Sequence, residues 1–226
     1  MLKITSVCNA GILLEYGADS VLIDGIAHSY LGFTGLDDAL YEQLRKRDGI
    51  FSGLRGILFT HCHPDHYDAE RFLAVKNADP SLTVFVPNEK TSCSGRIECG
   101  MFSVCYFETP HMPHTFEQVR HFVFLIQAGD EAVYIAADAM LDAELHRKIL
   151  KDCSPDWIVV NPVYLTLPAT VSWLADSGAK DILIYHVPVD PEDMTGMRRK
   201  AERSIARCKD RLPCLHLPTL HPSRYE

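Results

Sequence analysis

The chain has 226 residues, 47% apolar and 23% charged, an ordinary globular composition that excludes a disordered chain. That length buries a sizeable core without disulfides and makes one domain, residues 1–226, the expectation. The net charge of −8 argues against nucleic acid as a partner, and no apolar run approaches the ~18 residues of a membrane span.

The N-terminal third reads as β-structure. Residues 2–7 alternate, and the apolar runs 12–16 and 21–23 flank Gly17-Ala18-Asp19, a hairpin signal. A looser stretch, 26–35, holds His28, Tyr30 and Phe33 and reads as a candidate flap; Leu36, Leu40 and Leu44 then predict a helix over 36–47. A short buried strand at 57–59 precedes a helix at 68–77. Strands are predicted at 82–86 and 102–107, and a second hairpin at 122–127 and 132–136 turns on Gly129-Asp130. Then follow a helix (141–150), a strand (157–160), a helix (170–176), a strand (182–185), a helix starting near Pro191 and a final strand within 212–217. Residues 166–173 are a second candidate flap. Hairpins mixed with β-α alternation in each half suggest two mixed sheets packed face to face with helices outside.

No apolar leader precedes the first strand, so a cytoplasmic, unprocessed protein is expected. The eight cysteines then read as reduced thiols, and no Cys-x-x-Cys pair suggests metal binding by them. Residues 197–211 carry seven basic side chains against Glu202 and Asp210, read as the solvated face of a helix.

The eleven histidines are less evenly spread. Thr60-His61-Cys62-His63-Pro64-Asp65-His66 places four metal-competent side chains within six residues, directly after an apolar run. Imidazole and carboxylate suit zinc or iron. Three other predicted strands also end in such a residue: 104–107 leads to His111, 132–137 to Asp138 and 182–185 to His186. Strand ends on one edge of a sheet are neighbours in space. His28, His146, His216 and His221 read as non-ligands.

On these residues the chain resembles the metallo-β-lactamase-fold metal hydrolases. His61-x-His63-x-Asp65-His66 matches their HxHxDH motif, His111 the next histidine, Asp138 the bridging aspartate and His186 the last histidine. Asp24 matches an aspartate that supports the ligands from behind. His114, in Pro110-His111-Met112-Pro113-His114, is the alternative to His111. The resemblance implies an α/β (α+β), four-layer αβ/βα sandwich. It implies two divalent metal ions, zinc foremost with manganese or iron as alternatives. His61, His63 and His111 would hold one, Asp65, His66 and His186 the other, and Asp138 would bridge them. Such a pair generates hydroxide at neutral pH. The leaving group would need a proton, for which Asp65, His114, His121 and Tyr164 are candidates; Asp65 and Tyr164 are taken as catalytic. A small ester, lactone, thioester or phosphodiester is the expected substrate. Lactam hydrolysis is not expected without an export signal. The alternatives are a non-catalytic metal-binding protein and an iron redox protein on the same fold. Oligomeric state is not legible.

Overall fold

The computed structural model describes residues 1–30, 32–113, 119–189, 193 and 196–226. In chain order the first half forms β1 (Lys3–Ser6), β2 (Ile12–Tyr16), β3 (Asp19–Ile23), α1 (Asp38–Lys46), β4 (Leu54–Leu58), α2 (Ala69–Ala78), β5 (Thr83–Phe85), β6 (Ser94–Cys99) and β7 (Phe102–Thr109). The second half forms β8 (His121–Ala128), β9 (Glu131–Ala137), α3 (Ala143–Ile149), β10 (Trp157–Val160), α4 (Pro168–Asp176), β11 (Asp181–Ile184), α5 (Met197–Cys208), β12 (Cys214–His216) and β13 (Ser223–Tyr225). A six-stranded sheet has the order β13-β1-β2-β3-β4-β5 and a seven-stranded sheet the order β12-β11-β10-β9-β8-β7-β6.

Three apolar clusters stack these elements. The first lies between the sheets, joining Ile4, Ile12, Leu14 and Ile23 to Phe102, Phe124, Ile135 and Val159. The second joins the outer face of the larger sheet to α3, α4 and α5 through Tyr134, Ile158, Trp173, Leu174 and Ala201. The third joins Leu13, Leu22 and Ile57 of the smaller sheet to Leu40, Leu44, Phe72 and Val75 of α1 and α2. Each large apolar side chain so buried contributes roughly 1.5–3 kcal/mol. The result is the four-layer αβ/βα sandwich of two mixed sheets.

Helix starts follow from capping. The side chains of Asp37, Asp68 and Asp142 accept hydrogen bonds from backbone N–H groups opening α1, α2 and α3. The Asp68 cap starts α2 directly after the 61–66 loop and so anchors that loop's far end.

Two strands went unpredicted. β6 is an edge strand with a largely solvated face (Ser94, Arg96, Glu98), and β13 is three residues of polar Ser-Arg-Tyr that pair with β1 from the other end of the chain. The predicted helix start near Pro191 lies outside the described residues; α5 is described from Met197.

Candidate metal centre

Five strand ends deliver the site. β3 leads to Asp24, β4 to Thr60 and the 61–66 loop, β7 to His111, β9 to Asp138 and β11 to His186. β3 and β4 are parallel neighbours, while β7, β9 and β11 run in one direction across the other sheet. Their C-terminal ends therefore share one edge of the sandwich. Three of these ends are left-handed: Asp24 (φ 54°), Ala137 (φ 48°) and His186 (φ 59°). Left-handed backbone costs an L-residue roughly 1–2 kcal/mol. Here it breaks the strand alternation where a side chain must leave the core for the edge.

The predicted ligands come together. Their ligand atoms form three overlapping groups, each within 4.8 Å: His61, His63 and His111; His61, His66 and Asp138; and Asp65, His66 and His186. Asp138 lies between the outer groups. Its Oδ2 is 3.5 Å from His66 Nε2, 3.7 Å from His186 Nε2, 3.8 Å from His111 Nε2 and 4.0 Å from His61 Nε2. Two ligands ~2.1 Å from one tetrahedral ion stand about 3.4 Å apart, so these spacings suit shared cations.

The Nε2 atoms of His61 and His66 are buried and make no hydrogen bond, and that of His186 faces Asp65 Oδ2 at 3.1 Å. Buried polar atoms are normally bonded, and a cation is the partner that would satisfy the imidazole nitrogens gathered around Asp138. The opposite ring edges show how those lone pairs are kept. Thr60 donates its N–H to Asp24 Oδ1 and its hydroxyl to Asp24 Oδ2, both at 2.8 Å. The Thr60 oxygen is thus left to accept from His61 Nδ1 at 3.0 Å, while His66 Nδ1 donates to Asp24 Oδ2 at 3.0 Å. One buried carboxylate thereby sets the tautomer of both histidines. His111 Nδ1 donates to the Met112 carbonyl at 2.7 Å, and the Asn9 amide lies 3.2 Å from His186 Nδ1.

Electrostatics point the same way. Burial alone would lower the proton affinity of His66, but Asp24, Asp138 and Asp65 outweigh it and raise its pKa well above the usual value. Burial likewise opposes protonation of His186, and Asp138 and Asp65 raise its pKa nonetheless. Burial would raise the carboxylates, yet the histidines hold Asp65 down at about 2 and Asp138 well below the usual range. Burial, then the neighbouring histidines, keep His61 neutral with a pKa well below its usual value. The carboxylates thus concentrate negative potential where positive charge is wanted.

Several expected residues sit elsewhere. The Tyr164 phenol, expected to face the site, is fully buried; it donates to the Ala139 carbonyl at 3.1 Å and lies 2.9 Å from His146 Nε2. It is a packing residue of the helix-covered face, because the turn after β10 points it into the α3–α4 layer. The candidate flap 166–173 divides: residues 166–169 are exposed where α4 begins, while Thr170 is buried and Trp173 stacks on His146 at 4.5 Å. His121 is committed as well. Its Nε2 accepts from the Asp138 N–H at 3.1 Å and its Nδ1 pairs with Thr109 Oγ1 at 2.9 Å, so it holds Asp138 in place. His114 lies outside the described residues. Of the other flap, Phe33 sets its ring edge-on to His186 with centroids 4.7 Å apart.

Sequence reasoning missed Asn161, whose amide donates to Asp138 Oδ1 at 3.0 Å and to the Ala137 carbonyl at 3.1 Å. The signal was present, since Asn161 follows β10 as the ligands follow their strands. Asn9 carried no comparable signal.

A cavity of about 870 Å³ opens beside His111. Its walls are mostly apolar (Pro110, Met112, Pro113, Val119, Met140), with Glu108 and Arg120 on one side. Arg120 is already matched, bonding both oxygens of Glu108 at 2.7 Å and the carbonyls of Asn88 and Thr91 at 2.7 and 2.6 Å.

No family model and no curated protein matches the sequence. Solved structures do resemble the fold. The metallo-β-lactamase fold protein YhfI from Bacillus subtilis has a TM-score of 0.68 at 14% identity, over 99% of this chain and 98% of its own. A possible metal-dependent hydrolase from Veillonella parvula has a TM-score of 0.68 at 13% identity, over 100% and 99%. CmlA, a diiron β-hydroxylase from Streptomyces venezuelae, has a TM-score of 0.67 at 12% identity, over all of this chain and 54% of its own. With its two mixed sheets flanked by helices, the chain has the metallo-β-lactamase fold.

Proposed function

We propose that the protein is a metal-dependent hydrolase with a two-metal centre that cleaves a small ester, lactone or phosphodiester. The observation carrying this reading is Asp138 Oδ2, set 3.5–4.0 Å from four histidine nitrogens with a ligand group on either side. His61, His63 and His111 would hold one ion, Asp65, His66 and His186 the second, and Asp138 both, with zinc the first choice for this nitrogen and carboxylate set. Bound there, such ions act as Lewis acids and bring the pKa of water toward neutrality. Asp24 and His121 hold the ligands in position. Asp65, ionised and partly exposed, is the proposed proton carrier toward the leaving group. The cavity by His111 admits a small molecule. Its apolar walls and the matched Glu108–Arg120 pair suit an uncharged ester or lactone better than a polyanion.

The likeness to CmlA supports a second reading, a di-iron oxygenase. Metal-reconstituted protein assayed against bis-aryl phosphodiesters, lactones, thioesters and a chromogenic cephalosporin separates the two. Hydrolysis that is lost on chelation and in Asp138→Ala supports the hydrolase. A uniform blank contradicts it, and iron-dependent oxygen consumption with added reductant would then favour the oxygenase.

A further inference from the structure

A fourth group of metal-competent side chains lies apart from the histidine centre: Asp181, Cys214 and His216 place one ligand atom each within 4.8 Å of one another. The sheet explains how. β11 and β12 are parallel neighbours with Asp181 opposite Cys214 and Leu183 opposite His216. Paired residues share a face, and so do residues two apart on one strand. Asp181, Cys214 and His216 therefore project from the same side of the sheet, on its last two strands. Leu215, between the two ligands, packs on the opposite, helix-covered side.

The imidazole is held before any ligand arrives. His216 lies between Trp157 (centroids 5.1 Å) and Tyr225 (5.2 Å), rings contributed by the two different sheets. Its Nε2 is 2.8 Å from Asp181 Oδ1. A hydrogen bond accounts for that pair, but it does not account for a thiol brought within reach of both. Cys214 is exposed, so the group is open to solvent. Lys180, next to Asp181 in the chain, is engaged by Asp156 at 2.6 Å.

We propose that Asp181, Cys214 and His216 form a second, separate metal site for a thiophilic divalent cation of the zinc class. Thiolate and imidazole select such a cation over magnesium or calcium, and three protein ligands leave a position for solvent. Binding there would tie the edge strand β12 to β11.

Cobalt(II) titration of chelator-stripped protein tests this, because a thiolate ligand produces a near-ultraviolet charge-transfer band that a His/Asp centre cannot. The wild-type chain should develop the band, and Asp138→Ala should keep it. Cys214→Ser and His216→Ala should lose it and bind one equivalent less per chain, with unchanged circular dichroism. Absence of the band in the cobalt-saturated wild type would overturn the site. So would its persistence in Cys214→Ser, which would assign it to another cysteine. The Asp138→Ala arm makes the result independent of the hydrolase reading.

Discussion

Asp24 does more than its lack of exposure suggests. Through Thr60 and His66 Nδ1 it orients two imidazoles that belong to different halves of the centre. Asparagine has the same shape and tolerates the left-handed backbone found there, but it replaces one acceptor oxygen with a donor. Asp24→Asn should keep the fold and weaken metal binding about 10–100-fold, as loss of an outer partner does elsewhere. Competition with a chelating dye measures it, and unchanged affinity would show that the tautomers are set otherwise. His146 provides a contrasting residue. Burial among Tyr134, Tyr164 and Trp173 lowers its pKa to about 4. Such a histidine takes up its proton more readily unfolded than folded. Its contribution is therefore complete above about pH 6.5 and is lost as pH falls toward 4, by up to roughly 3 kcal/mol. His146→Leu should be less stable at pH 7 by about 1–3 kcal/mol, since two tyrosine hydroxyls lose a partner. It should also lose less stability between pH 7 and 4.5. Urea unfolding of metal-free protein at both pH values checks this; parallel losses in the two proteins would be the contrary result.

At the scale of the element, the strand ends carry the design. Ala137 closes β9 with φ 48° one residue before Asp138, a conformation suited to glycine. Ala137→Gly relieves about 1 kcal/mol of strain and gives back a similar amount in unfolded-chain entropy. It should thus stay within about 1 kcal/mol of wild type and keep its metal. Ala137→Val adds β-branching at a left-handed position and should cost more than about 2 kcal/mol. It should displace Asp138 as well, lowering metal content together with the denaturation midpoint. The convergence of the candidate ligands was legible in the sequence for the same reason: apolar runs ending in His or Asp mark strand ends on one edge. Tyr164 followed a similar run, yet the turn after β10 sends it into the helix layer. A one-dimensional pattern does not contain that direction. β6 and β13 escaped because edge strands need no apolar alternation.

For the whole molecule, the sandwich places two kinds of metal-competent grouping at different points of one scaffold. The edge formed by the ends of β4, β7, β9 and β11 gathers nitrogen and carboxylate ligands, while β11 and β12 bring a carboxylate, a thiol and an imidazole onto one face. The second grouping was not legible. Cys214-Leu215-His216 shows its spacing in the sequence, but only the parallel register adds Asp181 from a strand more than thirty residues away. Architecture as a whole was legible, because hairpins followed by β-α alternation, twice, leave few ways to cover both sheets. Among the described residues no helix is long and apolar enough to cross a membrane. The two-metal His/Asp centre stands or falls on metal analysis of the Cys214→Ser chain, a background without the thiolate group. After metal-replete loading and desalting, the Cys214→Ser chain should retain two transition-metal ions, falling below one when Asp138→Ala is added. A Cys214→Ser chain that retains one transition-metal ion or none would overturn the two-metal centre.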